Sequence, residues 1–341
     1  MKRRWNRWFR WSLLGGLDPS VDGKMTATPL TTLRPSISYC SSPSLTTVES
    51  QFMCRFVLYS GPPITLDLLT TEPTHSIIHQ SYQSRLREVP LNGDGFGIAW
   101  YAPEISPQPA QFRSIQPAWN NVNLKHVARV SRSDMILAHV RAATEGLGIS
   151  ESNCHPFVAG PFSFMHNGAV AGFLGFKRSL RESLSDESYM GIHGTTDSEH
   201  LFARFRDHIQ RGRNPCELAR MTEALEATIQ DVIEYTKGAT IPRSTLNLAV
   251  CDGGHAVVSR CATDGGEPPS LYVCQGTRFV CNDGVCRMET GSGDGAAVLI
   301  ASEPLTDDEA WREVPANHLV MVAKDRSITM RPIAAGLLLK T

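Results

Sequence analysis

Met53-Cys54-Arg55-Phe56-Val57-Leu58-Tyr59 is the stretch on which the reading of this chain turns. Its apolar, aromatic run suits a buried strand. Its first residues carry a second message. A cysteine directly after an internal methionine can become the first residue of the mature chain. It would then combine a thiol nucleophile with a free α-amine of pKa about 8 to serve as its base. That chemistry requires residues 1–53 to be absent from the mature protein. Translation from Met53 and removal of that methionine is the simplest route.

Outward from this strand, 95–101 is a similar apolar run, and 135–141 and 161–166 read as strands ending in polar residues that can face a site. Apolar spacings of three and four predict helices over 199–209 and 217–235. Strands return at 245–251, 256–260, 297–301 and 318–322, while the Pro-rich segment 103–110 reads as a surface loop. Grouped strands, then helices, then strands predict an α+β fold of stacked antiparallel sheets with helices outside. The strict βαβ alternation of a doubly wound sheet is missing.

The length of 341 residues suits about two domains or one large sandwich. With 41% hydrophobic and 20% charged residues, the composition is that of a globular protein with ample core. A net charge of -1 gives no electrostatic reason to expect nucleic acid or an anionic membrane as partner. No stretch is apolar for long enough to span a bilayer. Nine cysteines, an odd number in a chain too large to need disulfide staples, favour a reducing cytoplasmic setting and mostly buried free thiols. Cys281 and Cys286 are the closest pair, and without a matching second pair they are a weak zinc signal; no metal is expected.

Residues 1–52 differ in texture. The first 17 lack acids, carry five Lys and Arg residues, and place Trp5, Trp8 and Trp11 three apart; Thr- and Ser-rich sequence follows. The apolar part is too short for a secretory signal. A mitochondrial presequence fits the basic, acid-poor start. The favoured reading is a disordered or non-native extension, with residues 53–341 forming the functional domain.

Several motifs have plain explanations. The glycines of Asn92-Gly93-Asp94-Gly95-Phe96-Gly97 miss the dinucleotide spacing and predict a tight turn with close backbone approach. His75 and His79 lie four apart without the acidic residue of a zincin, so a satisfied histidine or a helix surface is expected. Asp252-Gly253-Gly254-His255 reads as a hairpin turn, and Asp307-Asp308-Glu309 as a solvated helix start.

A different group of residues answers one chemical demand jointly. Attack on an amide carbonyl needs a nucleophile, a base, an oxyanion hole and a grip on the substrate. An N-terminal Cys54 supplies the first two. The Asn167 carboxamide and the Gly168 N–H are candidate oxyanion donors. Arg141 offers a fork for an α-carboxylate, and Asp197 a partner for an α-ammonium. Taken singly, each has a bland reading: a surface ion pair, a helix cap, a turn.

With these residues in place, the chain resembles the class II glutamine amidotransferases of the N-terminal-nucleophile superfamily. The resemblance rests on Met53-Cys54, on His139-Val140-Arg141-Ala142-Ala143-Thr144, on Asn153-Cys154-His155-Pro156, on His166-Asn167-Gly168 and on Thr196-Asp197-Ser198-Glu199, in the family's order. Cys54-Arg55-Phe56, His75-Ser76-Ile77-Ile78, Asn92-Gly93-Asp94-Gly95-Phe96-Gly97, Pro117-Ala118-Trp119-Asn120-Asn121 and Ala301-Ser302-Glu303-Pro304-Leu305 further resemble a fungal subgroup that works in cytosolic glutathione breakdown. The resemblance implies a four-layer αββα sandwich. It makes Cys54 the nucleophile that forms a γ-glutamyl thioester, with Asn167 and Gly168 as oxyanion hole. Arg141, Thr144 and Asp197 would hold the glutamyl head, with His155 and His166 in support; no cofactor is implied. Glu145 stands where many relatives have glycine, which alters a loop beside the pocket.

Glutamine and glutathione share the γ-glutamyl carbonyl and head group and differ only in the leaving group. No room for a synthase domain follows the sandwich, so hydrolysis of glutathione or related γ-glutamyl peptides is expected, in a hetero-oligomer with a metallopeptidase-like subunit. The alternatives are a glutaminase subunit feeding ammonia to a separate synthetase, a γ-glutamyl hydrolase of thiol-histidine biosynthesis, and a non-catalytic scaffold if Cys54 is not N-terminal.

Overall fold

The computed structural model describes residues 54–86, 91–142, 148–237, 243–282, 284–291 and 296–334. The expectations for residues 1–53 and for Thr144 concern positions outside that set. Strand β1 (Arg55–Thr65) shows why the chain folds into layers. Side chains alternate across a strand. Phe56 and Leu58 enter one buried cluster, Val57 and Tyr59 another, so both faces of the strand are covered.

Two antiparallel sheets result. The first runs, in spatial order, β13 (Arg312–Glu313), β9 (Tyr272–Gly276), β12 (Ala297–Ala301), β1, β4 (Arg132–Val140), β2 (Phe96–Ala102) and β3 (Ser106–Ser114). The second runs β15 (Ile328–Pro332), β14 (His318–Val322), β8 (Ala256–Arg260), β7 (Thr245–Cys251), β6 (Phe162–Ala169) and β5 (Phe157–Ala159). Their facing sides share a core built from Phe56, Leu58, Leu137 and Ile300 against Met165, Ala249, Val258 and Val320. On the outer face of the first sheet, Leu69, Ile77, Ile78 and Leu124 pack from the short helices α1 (Asp67–Thr70), α2 (Ile77–Gln80) and α3 (Val122–Val130). The outer face of the second is covered mainly by α4 (Phe173–Glu182), α6 (Asp197–Arg211) and α7 (Glu217–Thr236), with α5 (Asp186–Met190) beside α6. The order of layers is α, β, β, α, as the resemblance implies.

Three expectations are corrected. The Pro-rich segment is not a loop: Pro107 and Pro109 lie in β3, at the edge of its sheet. An edge strand tolerates proline because a missing N–H there need not break a ladder. Asp307-Asp308-Glu309 starts no helix; Asp308 instead accepts from Met288 N at 2.9 Å and Thr306 Oγ1 at 3.1 Å. Cys281 and Cys286 are neither free thiols nor zinc ligands. They occupy opposite positions of the hairpin β10 (Arg278–Asn282) and β11 (Val285–Glu289) and form a disulfide. Of the six free cysteines among the described residues, Cys154, Cys251, Cys261 and Cys274 are buried as expected.

The interlayer core yields a stability test. Leu137 is fully buried between the sheets, so Leu137→Ala should lower unfolding stability by about 2–5 kcal/mol in a denaturant titration. Truncating the exposed Ile105 should leave it within about 0.5 kcal/mol.

Candidate active site

Strand register brings the candidate residues together. Arg55 pairs with Val140, so Cys54, just before β1, lies beside Arg141 and Ala142, just after β4. The Cys54 thiol is 3.6 Å from the Ala142 carbonyl. Arg141 is 3% exposed, and among the described residues its guanidinium makes one hydrogen bond, from Nη1 to the Asp94 carbonyl at 3.4 Å. Among the described residues no carboxylate pairs with it. A buried cation without a counter-ion is costly, and an anionic ligand would relieve that cost. The turn at 92–95 supports the arrangement from the side: Asp94 N donates to Arg141 O and Arg141 N to Gly95 O. Gly95 has φ of 116°, and a Cβ there would stand 2.6 Å from the Cys154 sulfur, so the expected close approach is realised.

Asn167 and Gly168 come from β6 of the second sheet. Asn167 is fully buried; its Nδ2 donates to Ser302 Oγ at 3.2 Å, while Oδ1 has no partner among the described residues. Glycine is required at 168, because a Cβ would run into the Thr245 carbonyl on the neighbouring strand. Asp197 is the first residue of α6, not its cap. Its Oδ2 accepts from Val170 N at 2.8 Å, which ties it to the end of β6. Thr196 caps the helix, its Oγ1 accepting from Glu199 N, and the Glu199 carboxylate reaches past the cap to accept from His193 N and Gly194 N. Asn153 completes the tie by accepting from Thr195 N at 2.8 Å.

The histidines serve as packing. His139 and His155 stack with centroids 4.2 Å apart, and both ring nitrogens of His155 lack partners among the described residues. Burial pushes His139 down to about 3, with the Arg141 charge assisting and its bond to the His166 carbonyl opposing. Burial, then the neighbouring His139, His166 and Arg141, holds His155 well below its ordinary range. Both rings are neutral at pH 7. His166 spans from Ser198 Oγ, 2.9 Å from Nδ1, to the Thr245 carbonyl, 3.0 Å from Nε2, and so pins β6 to α6 and β7.

Sequence reasoning left the Ala301-Ser302-Glu303 element without a role. The structure places it at the centre. Ala301 pairs with Val57, which sets Ser302 against Phe56: Phe56 N donates to Ser302 Oγ at 3.1 Å and Ser302 N to Phe56 O at 3.0 Å. The buried Glu303 carboxylate accepts from Arg55 Nε, His75 Nε2, Ser84 Oγ and Arg85 N. Burial would raise its pKa; those donors and the Arg55 charge outweigh it and bring it to about 2. Arg55 in turn donates from Nη1 to the Cys54 carbonyl at 3.2 Å. His75 is therefore buried and tied to Glu303 through Nε2, while its Nδ1 has no partner among the described residues, so the expected satisfied histidine is met at one ring nitrogen only. The signal was the unexplained apolar-to-acidic break after a buried strand.

A cysteine and an arginine at adjoining strand ends, linked through Ser302 to an Asn-Gly pair of the second sheet, are residue types that attack on an amide carbonyl calls for. Residues 68–334 match the family described as glutamine amidotransferases class-II. The chain belongs to that family. It is 41% identical over 303 residues to the probable glutamine amidotransferase DUG3 of Saccharomyces cerevisiae, covering 82% of this chain and 84% of the relative. It is 29% identical over 273 residues to the gamma-glutamyl-hercynylcysteine sulfoxide hydrolase of Mycobacterium tuberculosis, covering 80% and 94%. A solved glutamine aminotransferase class-II domain protein from Silicibacter pomeroyi superposes with a TM-score of 0.56 at 25% identity, covering 82% of this chain and 99% of that one. Amidotransferase chemistry at a γ-glutamyl amide is thus the activity the chain's family defines.

The neutral histidines give a pH prediction. In the unfolded chain they titrate near 6.5 and in the fold far lower, so the unfolded state binds more protons below pH 6.5 and stability falls there as pH drops. Glu303 adds a second loss between about 4.5 and 2. Thermal midpoints should be insensitive to these groups above pH 7 and decline from pH 6.5 to 4.5. His155→Phe should flatten that decline; an unchanged slope would refute the assignment.

Proposed function

We propose that the chain hydrolyses the γ-glutamyl amide bond of glutathione or related γ-glutamyl peptides, with Cys54 as N-terminal nucleophile. The observation that carries the reading is the buried Arg141 guanidinium, without a carboxylate partner among the described residues and beside Cys54. It is the complement of a substrate α-carboxylate, with Asp197 for the α-ammonium. The Cys54 thiol passes its proton to its own α-amine, and the sulfur attacks the γ-carbonyl. Asn167 Nδ2 and Gly168 N–H hold the oxyanion. Collapse breaks the C–N bond, and the leaving Cys-Gly amine takes the proton. Water then attacks the γ-glutamyl thioester, returning the proton to sulfur and releasing glutamate. Burial lowers the proton affinity of His139 and His155 too far for either to take the thiol proton, which leaves the α-amine as the base. Thr144 belongs to the same grip on the head group, and a metallopeptidase-like subunit that consumes Cys-Gly is the partner.

The similarity to the mycobacterial hydrolase favours a second reading, a γ-glutamyl hydrolase of thiol-histidine biosynthesis. Both readings need the same nucleophile and head-group grip, and differ in the leaving group.

The native protein, with its partner, should show by intact mass a chain beginning at Cys54, and should release Cys-Gly and glutamate from glutathione. Cys54→Ala should abolish turnover. Arg141→Lys, which keeps the charge but loses the fork, should raise KM by about tenfold or more. A strong preference for glutamine would replace the peptidase reading with an ammonia-feeding one. A native chain beginning upstream of Cys54 would leave only a scaffolding role.

A further inference from the structure

Ser302 is buried, lies at the end of β12 in the first sheet, and joins two groups from different sheets. Its hydroxyl oxygen accepts from Phe56 N at 3.1 Å, two residues along the chain from Cys54, and from Asn167 Nδ2 at 3.2 Å in the opposite sheet. No other side chain among the described residues hydrogen-bonds the Asn167 carboxamide, and its Oδ1 has no partner there. Among the described residues, Ser302 is thus the one group that orients that amide by a hydrogen bond. A carboxamide nitrogen carries two protons at a fixed angle. With one committed to Ser302, the direction of the other is fixed relative to the strand that bears the nucleophile.

We propose that Ser302 is a positioning residue for the oxyanion donor: its hydroxyl locks the Asn167 amide to the backbone of the nucleophile's strand. The inference rests on the reading of Asn167 as an oxyanion donor and deepens it. Preorganisation of this kind matters in the transition state, where negative charge develops, and little in substrate binding. Removing the hydroxyl leaves the amide free to rotate in its pocket. Ser302 touches no substrate on this account, so its whole effect passes through Asn167.

The test is a double-mutant cycle in the chain beginning at Cys54, with its partner present, reading γ-glutamyl hydrolysis. Asn167→Ala should lower kcat by about 10²–10³. Ser302→Ala should lower kcat by about 10–100-fold with KM within about twofold, since only transition-state stabilisation is lost. In the Asn167→Ala background, Ser302→Ala should cost nothing further. Ser270→Ala is the structural control. Ser270 Oγ donates to the Ser302 carbonyl at 2.8 Å, so its loss loosens the same residue without touching the hydroxyl; activity should stay within about twofold. Ser302→Cys, close in size but a weaker hydrogen-bonding group, should fall between wild type and Ser302→Ala and guards against loss of folding. Multiplicative losses in the double variant, an unaffected Ser302→Ala, or equal losses in Ser270→Ala overturn the proposal. A wild-type chain that cleaves no γ-glutamyl amide, or an Asn167→Ala variant of full activity, overturns instead the reading on which it rests.

Discussion

The register of β1 is the constraint on which the site depends. On one side Arg55 pairs with Val140, which places Cys54 beside Arg141; on the other Val57 pairs with Ala301, which places Ser302 against Phe56. A slip of one residue would turn Phe56 and Leu58 out of the interlayer core and Val57 and Tyr59 into it, and would part Cys54 from its neighbours. The register is held by packing on both faces at once, Phe56 and Leu58 into one cluster and Val57 and Tyr59 into the other. Its starting end is also fixed by charge, because the buried Glu303 grips Arg55, whose guanidinium holds the Cys54 carbonyl. Packing and a buried ion pair thus secure the same few residues.

Polar chemistry in such a sandwich is confined by solvation. The interlayer core is apolar along its length, so groups that must meet a charged substrate can stand only where strands end. Arg141 follows β4, Asp197 opens α6, and Asn167 and Gly168 sit near the end of β6. His139, two residues inward of Arg141, and His166, one inward of Asn167, are the transition between wet and dry. Each is tied to a backbone carbonyl of the opposite sheet or a neighbouring strand. His139, driven to about 3 by burial, cannot carry a proton at neutral pH. On the proposed reading of Cys54 as nucleophile, a histidine two residues along the neighbouring strand is of no use as a base, and another base is needed.

How much of this was legible in the sequence follows from what each signal measures. Strands covered on both faces announce themselves by unbroken apolar runs, and β7, β8, β12 and β14 were read to the residue. Edge elements carry no such mark, so β3 with its prolines passed for a loop and the β10–β11 hairpin with its disulfide went unread. Asp308 passed for a helix start because a carboxylate that caps a neighbouring strand has the same local sequence as one that caps a helix. As candidates, Cys54, Arg141, Asn167-Gly168 and Asp197 stand out in the sequence because their chemistry is specific jointly. Ser302 and Glu303 were not. They act on residues some 250 positions away in sequence, and only the pairing of β12 with β1 reveals them.

The same logic bears on substrate choice. On the proposed reading, Arg141 and Asp197 bind a head group that glutamine and γ-glutamyl peptides share, so they contribute equally to both and discriminate between neither. Selectivity must come from the far side of the scissile bond, where ammonia offers almost no binding surface and a dipeptide offers a large one. Binding energy gained there can be used to raise the rate with peptides, provided the nucleophile and oxyanion donors are held rigidly enough for that energy to be felt at the carbonyl. Rigid coupling between the two sheets is what Ser302 supplies by joining the strand of Cys54 to Asn167. A preference for bulky leaving groups and a stiff link between nucleophile and oxyanion hole are therefore two aspects of one requirement.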